Sequence, residues 1–230
     1  MPQQQEVEER ISEAANSLLI GQRQLKVLEA GCGSASKVRF HAPTYTVGID
    51  ISRDALESNA LVQEKIVGDI QEYPLPKEEF DAVVCWMVLE HVPRPQDALR
   101  NLFRTVKPGG LVILGFPNLL SFKGMITKLT PYWFHRLYFR MMKYSGGDPC
   151  PTCLRAAILP QKLLRFAGNH GFSAPFCELV ESRDLRRLRS KFWLADLVFS
   201  GANSVIQAAT LGRSQSLLLD TCAMVLTRRA

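Results

Sequence analysis

The sequence contains little that would suit a fibrous, repetitive or membrane-spanning protein. Its 15 glycines and 13 prolines follow no period, and no segment recurs at a fixed spacing, which excludes collagen-like chains and solenoids. The longest apolar stretch, residues 192–211, is interrupted by Asp196, Asn203 and Gln207. Because polar side chains are costly inside a bilayer, we expect no spanning helix there, although an amphipathic helix lying on a membrane surface stays open.

Cysteines are few, and the start of the chain does not resemble a secretory leader. The first ten residues, MPQQQEVEER, are polar and acidic, whereas a leader has a basic start followed by an apolar segment. We therefore expect a cytoplasmic protein whose six cysteines are reduced. Cys150 and Cys153 have no further ligands at zinc spacing, so we interpret them as part of a proline-rich loop and predict no metal site.

Length and composition favour one domain. Of the 230 residues, 47% are hydrophobic and 22% are charged, which is enough to bury one substantial core. The 28 basic and 22 acidic residues give a net charge of +6, less basic than is usual for a dedicated nucleic-acid binder. We expect a single domain over residues 1–230 and no DNA partner.

Short apolar runs alternate with helical patterns along most of the chain. Strands are predicted at residues 26–30, 45–50, 65–69, 80–86, 111–116, 176–181 and 216–227. Helices are predicted at residues 7–19, 53–61 (with Ser52 as its N-cap), 96–106 and 160–169. The alternation predicts an α/β fold, a Rossmann-like doubly wound and mostly parallel seven-stranded sheet with helices on both faces and an antiparallel last strand.

Two segments break this alternation. Residues 119–155 are rich in aromatic and basic side chains, and we interpret them as a helical lid inserted after the fifth strand. Residues 184–211 form a second, basic and amphipathic insertion. The predicted parts of the domain are therefore an N-terminal helix (1–24), a ligand-binding half (25–118), the lid, and a C-terminal region (156–230) that contains the second insertion.

Glycines and carboxylates cluster where the first three predicted strands end. Gly31 and Gly33 follow the first strand, where the lack of a Cβ lets a ligand approach the backbone closely. Asp50 ends the second strand, about twenty residues further on, and can accept hydrogen bonds from a ribose. Asp69 ends the third strand. Since the carboxyl ends of parallel strands meet at one edge of the sheet, we expect a nucleoside site there.

The composition of the first loop selects among nucleosides. A dinucleotide site needs a third glycine over the pyrophosphate, whereas this loop continues as Ser34, Ala35 and Ser36. Glu29 at the mouth of the loop would repel a pyrophosphate and suits a ligand with an ammonium or sulfonium charge. These residues favour S-adenosylmethionine over a nicotinamide dinucleotide.

Six motifs, in order, resemble those of a known family. They are Val27-Leu-Glu-Ala-Gly-Cys-Gly33, Val47-Gly-Ile-Asp50, Gly68-Asp69, Phe80-Asp81, Val88-Leu-Glu-His-Val92 and residues 102–110, which end in Val-Lys-Pro-Gly-Gly. Residues 26–118 resemble class I S-adenosylmethionine-dependent methyltransferases, in the small-molecule branch that includes the ubiquinone and menaquinone biosynthesis methylases. One departure is Ala35, where the family usually has another glycine.

The resemblance implies twelve cofactor-binding positions. Those along the methionine moiety are Glu29, Ala30, Gly31, Cys32 and Gly33. Those at the ribose and adenine are Asp50, Ile51, Asp69 and Ile70. Those at the end of the fourth strand, near the sulfonium, are Cys85, Trp86 and Met87.

Methyl transfer to a hydroxyl or carbon acid requires removal of a proton, and His91, just past the fourth strand, is the candidate base. The alternative is that His91 only orients local backbone. We interpret the adjacent Glu90 as a structural partner of backbone or helix. His135 in the lid is a second candidate, although a histidine among aromatics is more often a packing residue. The acceptor is expected to contact a wall made of Phe116, Asn118, Tyr132, Trp133 and Tyr138.

Three functions stay open on the sequence alone. The first is S-adenosylmethionine-dependent methyl transfer, with S-adenosylhomocysteine as product, to an O, N or C nucleophile of a small, partly apolar or aromatic acceptor such as a natural product, a quinol or a glycan- or lipid-linked intermediate. The second is a non-catalytic, methyltransferase-like binding protein. The third is an RNA-directed methyltransferase, disfavoured because no nucleic-acid module is appended. The basic cluster beside Phe192 and Trp193 leaves peripheral membrane contact open, and homodimer formation is also compatible.

Overall fold

A computed structural model of the protein describes residues 3–34, 36, 38–131, 133, 152–210 and 216–229; of the side chains at 3–6, 183, 184 and 195 nothing is said. Its strands are β1 (Leu25–Ala30), β2 (Thr44–Asp50), β3 (Glu64–Val67), β4 (Phe80–Trp86), β5 (Val106–Pro117), β6 (Phe172–Val180) and β7 (Thr221–Arg228). Its helices are α1 (Gln3–Leu18), α2 (Arg53–Ser58), α3 (Pro95–Thr105), α4 (Phe122–Leu129), α5 (Pro160–Asn169), α6 (Arg183–Lys191) and α7 (Trp193–Ala209).

The strands form one seven-stranded sheet in the order β3-β2-β1-β4-β5-β7-β6. The first five strands run parallel to one another, and β7 pairs antiparallel with both β5 and β6. The predicted Rossmann-like sheet with an antiparallel last strand is therefore confirmed. Inserting β7 between β5 and β6 brings its first residue, Thr221, opposite Pro117 at the carboxyl end of β5, so the last strand contributes to the same edge as β1 and β4.

Helices cover both faces of the sheet, as predicted. On one face, Ala98, Leu99 and Leu102 of α3 are buried together with Leu163 and Ala167 of α5 in the larger core. On the other face lies α1, whose Val7, Ile11 and Ala15 recur at a spacing of four residues and are buried against the central strands. The strands between these layers are covered on both sides, which explains their nearly continuous apolar sequences.

Two element boundaries differ from the prediction for local reasons. The helix after Ser52 ends at Ser58 rather than at residue 61, because the Asn59 side chain donates to the carbonyl of Gly33 and accepts from the backbone N–H of Leu61. Ser52 does cap this helix, accepting a hydrogen bond from the backbone N–H of Ala55.

The segment Pro108-Gly-Gly110, which lies between the predicted helix 96–106 and the predicted strand 111–116, belongs to β5. The helix before it ends at Thr105, and β5 starts directly at Val106. The register with β4 then shifts between Phe80 and Ala82, where Gly109 has a φ of +77°. Glycine thus permits a bulge at the start of the strand instead of ending the helix.

The C-terminal boundaries also differ. Strand β6 starts earlier than predicted, at Phe172, and β7 starts later, at Thr221, after a turn that is closed by a hydrogen bond from Leu219 to Ser216. The predicted insertion at 184–211 is two helices, α6 and α7, which meet at Phe192. Within the described residues, no helix is both long and apolar enough to cross a membrane.

Candidate active site

A cavity of about 660 Å³ opens at the carboxyl edge of the sheet. Residues 29–34 and 36, at the end of β1 and in its loop, form one wall. A second wall, at the end of β4, consists of Val84, Trp86, Met87, Glu90 and His91. Four residues from other parts of the chain complete the lining of the cavity, namely Glu8, Lys123, Ser182 and Thr221. The volume falls within the range of small-molecule sites, and the position is the one at which doubly wound sheets bind ligands.

The two glycines of the β1 loop are required by its backbone. Gly31 has a φ of +67°, and a Cβ there would lie 2.4 Å from Cγ2 of Val88. Gly33 has a φ of +48°, but a Cβ there would meet no atom within 4 Å among the described residues. Gly31 thus permits close packing against the loop after β4, and both glycines permit left-handed backbone. That a Cβ in this loop would block a ligand stays a prediction.

Asp50 holds this loop in place. Its Oδ2 accepts a hydrogen bond of 2.9 Å from the backbone N–H of Gly33, and its Oδ1 accepts one of 2.9 Å from Ser52. A carboxylate has about four lone-pair sites, so each oxygen keeps one for a ligand. Ile51, the next residue, is 77% exposed, which is unusual for an isoleucine and leaves an apolar surface beside the carboxylate.

Asp69 and Ile70, predicted at the adenine, do not line this cavity. The Asp69 carboxylate accepts hydrogen bonds from both the backbone N–H and the side-chain amide of Gln71, and Ile70 is buried in the larger core. The short strand β3 ends at Val67, so both residues lie in the turn that follows rather than at its tip. The structure therefore brings Asp50, but not these two residues, to the β1 loop.

Three further predicted residues point away from the cavity. Val84 and Trp86 line it, and because successive side chains of a strand face opposite sides, Cys85 between them is fully buried in the larger core. Phe116 on β5 is buried in the same core. Asn118 is buried as well, and its amide donates to the carbonyl of Leu219, which ties β5 to the turn before β7. These placements correct the expected cofactor role of Cys85 and the expected acceptor contacts of Phe116 and Asn118.

Glu29 is a desolvated carboxylate in the cavity wall. It is 5% exposed, and its Oε2 accepts a hydrogen bond of 2.6 Å from Ser36 Oγ. Burial raises its pKa above the usual range, and the serine opposes this shift. A buried carboxylate with one neutral donor is stabilised by any cation that enters the cavity, as expected for a site that receives an ammonium group.

Glu90 is the residue that the sequence analysis underestimated. It lines the cavity and is 6% exposed, and its Oε2 has no hydrogen-bond partner among the described residues. Burial raises the pKa of this carboxyl to about 7. Its backbone carbonyl accepts from Cys153 and Leu154, so the structural role predicted for Glu90 belongs to its backbone. The sequence signal was present, since a glutamate directly before the candidate base lies beside that base in any turn.

His91 lies at the cavity, as predicted. Its side chain is about one-third exposed, and its Nε2 is 3.9 Å from Glu90 Oε1. Its backbone N–H donates to the carbonyl of Val88, and its own carbonyl accepts from Cys153 Sγ at 3.5 Å. Backbone contacts therefore hold the residue and leave the imidazole directed at the cavity.

The lid residues are described only in part. Tyr132, His135, Tyr138 and Cys150 lie outside the described residues. Trp133 is described and is 65% exposed. Within the described ranges, no group of three or more His, Cys, Asp or Glu side chains is arranged to hold a metal ion.

A cation completes the wall opposite the glutamates. Lys123, in the first turn of α4, lines the cavity, and its Nζ is 3.2 Å from Oδ2 of Asp220. Asp220 is 2% exposed and accepts hydrogen bonds of 2.5 Å from both the backbone N–H and the hydroxyl of Ser182. This cluster joins α4, α6 and the start of β7, and sequence reasoning did not assign it because its members are far apart in the chain.

Comparisons with known proteins agree with this geometry. Residues 28–114 match the model of a methyltransferase domain. The chain is 36% identical over 104 residues to a ubiquinone biosynthesis O-methyltransferase of Pseudomonas fluorescens (strain SBW25), which covers 40% of this chain and 44% of the relative. The chain thus aligns with less than half the length of the curated relatives it matches. The glycine loop, Asp50 and His91 lie within the residues that match the methyltransferase-domain model.

Solved structures resemble the whole fold. An S-adenosylmethionine-dependent methyltransferase from Mesorhizobium loti superimposes with a TM-score of 0.57 and 16% identity, covering 94% of this chain and 96% of that one. The [4+2]-cyclase SpnF superimposes with a TM-score of 0.59 and 18% identity, covering 96% and 81%. At such identities the likeness concerns the fold alone.

Proposed function

We propose that residues 28–114, which match the model of a methyltransferase domain, form a class I, S-adenosylmethionine-dependent domain of the small-molecule branch. The chain would transfer a methyl group from S-adenosylmethionine to an O, N or C nucleophile of a small, partly apolar or aromatic acceptor. The observation that carries the proposal is the cavity at the carboxyl edge of the sheet, with two desolvated carboxylates, Glu29 and Glu90, in its walls. Such walls favour a cationic ligand and disfavour a pyrophosphate.

The β1 side of the cavity is proposed to hold the cofactor. Glu29 would accept hydrogen bonds from the ammonium group of the methionine moiety, because its burial makes an unpaired negative charge costly. Asp50 would use its remaining lone pairs for the ribose hydroxyls, and the exposed Ile51 would cover the adenine. When bound, the cofactor supplies a methyl group on a positively charged sulfur, which a nucleophile can displace.

The β4 side is proposed to hold the acceptor. His91 would take the proton of the attacking group, since its imidazole lines the cavity and its backbone is fixed. Glu90, at 3.9 Å from the imidazole, would stabilise the protonated form that results. Lys123 on the other wall would attract an anionic part of the acceptor. The chain's own contribution is thus to orient the acceptor, exclude water and receive one proton.

The acceptor class is supported only by relatives. The curated relatives include ubiquinone biosynthesis O-methyltransferases, so a phenolic hydroxyl is the first nucleophile to test. No observation in the described residues favours the non-catalytic or the RNA-directed alternative, and the placement of His91 and Glu90 in one cavity favours catalysis.

The test measures cofactor binding and turnover separately. Calorimetry of the wild-type protein is expected to show binding of S-adenosylmethionine and S-adenosylhomocysteine but not of NAD. Release of S-adenosylhomocysteine is then measured with a panel of catechols, aliphatic amines and lipid-linked glycans. Binding without turnover on any class would support the non-catalytic alternative, and binding of NAD instead would overturn the proposal.

A further inference from the structure

One side of α7 is apolar and exposed, whereas the opposite side packs on the protein through both polar and aromatic side chains. Five large apolar side chains on this helix are between 58% and 72% exposed, namely Trp193, Leu194, Leu197, Val198 and Val205. At 100° per residue they fall on one side of the helix, together with the exposed Gly201, Ser204, Ala208 and Ala209. That side carries no charged residue.

Two polar residues of α7, Asp196 and Asn203, bond to other parts of the protein. Asp196 accepts a hydrogen bond of 2.7 Å from Arg189 of α6, and Asn203 accepts from the backbone N–H of Leu217 at 2.9 Å. Phe199 stacks on Phe122 of α4 with ring centroids 5.3 Å apart. These contacts determine which side of the helix faces inward. The apolar side is therefore exposed because of the tertiary structure, and it is not one of the scattered exposed residues that any surface has.

Cations lie at the beginning of this apolar face. Arg187 and Lys191 on α6 are exposed, and Lys191 lies over the ring of Phe192 at 5.6 Å. A helix with an exposed apolar side, a tryptophan at one end and basic residues beside it suits the boundary of a bilayer, where acyl chains accept the apolar side and anionic headgroups accept the cations. A protein partner would need a matched apolar groove flanked by acids, whereas an anionic bilayer offers both an apolar interior and negative charge without any matched shape.

We propose that α6 and α7 form a membrane-docking surface that lies on, and does not cross, an anionic lipid bilayer. Its position relates it to the cavity: Ser182, the N-cap of α6, lines the cavity, and so does Lys123 of α4, the helix that packs on α7. An apolar acceptor dissolved in the bilayer would reach the cavity from this side. That last link depends on the proposed methyltransferase function, whereas membrane binding does not.

The experiment is flotation of the full-length protein with vesicles of phosphatidylcholine alone or with 30% (about one lipid in three) phosphatidylglycerol. Wild type is expected to float with the anionic vesicles and to bind less as salt is raised, because screening weakens the contacts of Arg187 and Lys191. Leu197→Glu should lower the partition coefficient about tenfold, since one buried leucine is lost from the acyl region. The double variant R187Q/K191Q should lower the ratio of binding to anionic vesicles over binding to neutral vesicles about tenfold.

The matched control is Leu61→Glu, the same substitution at a leucine that is 58% exposed and precedes β3, at the opposite edge of the sheet. It should float like wild type, and circular dichroism should show that all variants are folded. The proposal is overturned if wild type binds neither vesicle, or if both glutamate variants lower binding equally. It is also overturned if light scattering shows a dimer that Leu197→Glu dissociates, because a second copy then covers the face. Loss of vesicle binding with S-adenosylmethionine binding intact would leave the proposed activity standing.

Discussion

The half of the chain that carries the methyltransferase motifs and the C-terminal helical segment follow opposite rules. In residues 28–114, most apolar side chains are buried, with exceptions such as Ile51 and Leu61, and Asp50 at the end of β2 holds the Gly33 backbone beside the cavity. In α6 and α7, polar groups such as Asp196 are used to attach the helices to the protein and the large apolar side chains are exposed. The first arrangement places polar groups at a cavity, and the second leaves an apolar helix face at the surface.

The largest expected difference between the two regions is in the free energy of unfolding after one glycine in each is replaced by alanine. Gly31→Ala places a methyl group 2.4 Å from Val88 at a φ of +67°, and we expect it to lower the free energy of unfolding by about 4 kcal/mol. Gly201→Ala on α7 meets no atom within 4 Å and should raise it by about 0.5–1 kcal/mol. Urea denaturation followed by circular dichroism measures both, and a similar loss at the two sites would contradict the packing argument. Adding Val88→Ala to Gly31→Ala should restore part of the loss.

The two histidines that lie in different regions test where the chemistry occurs. His91→Ala is expected to lower kcat about 10²-fold, because the attacking group then loses its base, with S-adenosylmethionine affinity nearly unchanged. His170→Ala removes an exposed ring that contacts Phe166 at the end of α5 and should leave kcat unchanged. Steady-state kinetics and calorimetry give the two quantities. Equal kcat values of the His91 variant and wild type across the pH range would show that His91 is not the base.

A pair of aspartates tests cofactor binding. Asp50→Ala should weaken S-adenosylmethionine binding by about 1–3 kcal/mol, since the ribose hydroxyls lose an acceptor and the Gly33 N–H loses its partner. Asp196→Ala breaks an ion pair with Arg189 on the far helices and should not change this affinity. Calorimetry measures the affinity of each variant for S-adenosylmethionine. An unchanged affinity in the Asp50 variant would show that Asp50 does not contact the cofactor.

The smallest difference is a pH effect. Because the folded pKa of Glu90 is about 7 and lies above its ordinary value of 4.5, the folded state binds more protons than the unfolded state between these values. Its contribution to stability is therefore complete below pH 4.5 and is lost as the pH rises through 7. We expect Glu90→Gln to be more stable than wild type at pH 8 by on the order of 1–2 kcal/mol, and equal to it near pH 5. Glu181→Gln, which removes a partner of Arg189, should show no such gain; thermal melts at both pH values provide the comparison.

Much of the nucleoside edge could be predicted because its signals are local. The order of strands and helices follows from periodicity, and Ser52 from capping chemistry. Glu29 and Asp50 could be found at the ends of β1 and β2, and Gly31 and His91 in the loops that follow β1 and β4. Cys85 was misassigned although the information was local, since alternation along β4 places it opposite Val84 and Trp86.

Other assignments failed because they depend on distant contacts. The amide of Asn118 is occupied by the carbonyl of Leu219, about a hundred residues further along the chain, so this residue is part of the scaffold rather than of an acceptor wall. Lys123, Ser182 and Asp220 meet only because β7 enters the sheet between β5 and β6. A pattern within ten or fifteen residues contains no information about such neighbours.

The amino-acid sequence by itself determined the fold class and most of the elements, and it placed glycines and carboxylates at the strand ends beside the cavity, because hydrophobic period, glycine and strand-end carboxylates act over a few residues. Tertiary structure alone decided that Glu90 becomes a buried carboxyl whose Oε2 has no hydrogen-bond partner among the described residues, and that α7 has its apolar side outward. Both depend on burial, and burial is set by which surfaces of distant segments are packed together, here by Arg189 and Phe122 holding the inner side of one helix.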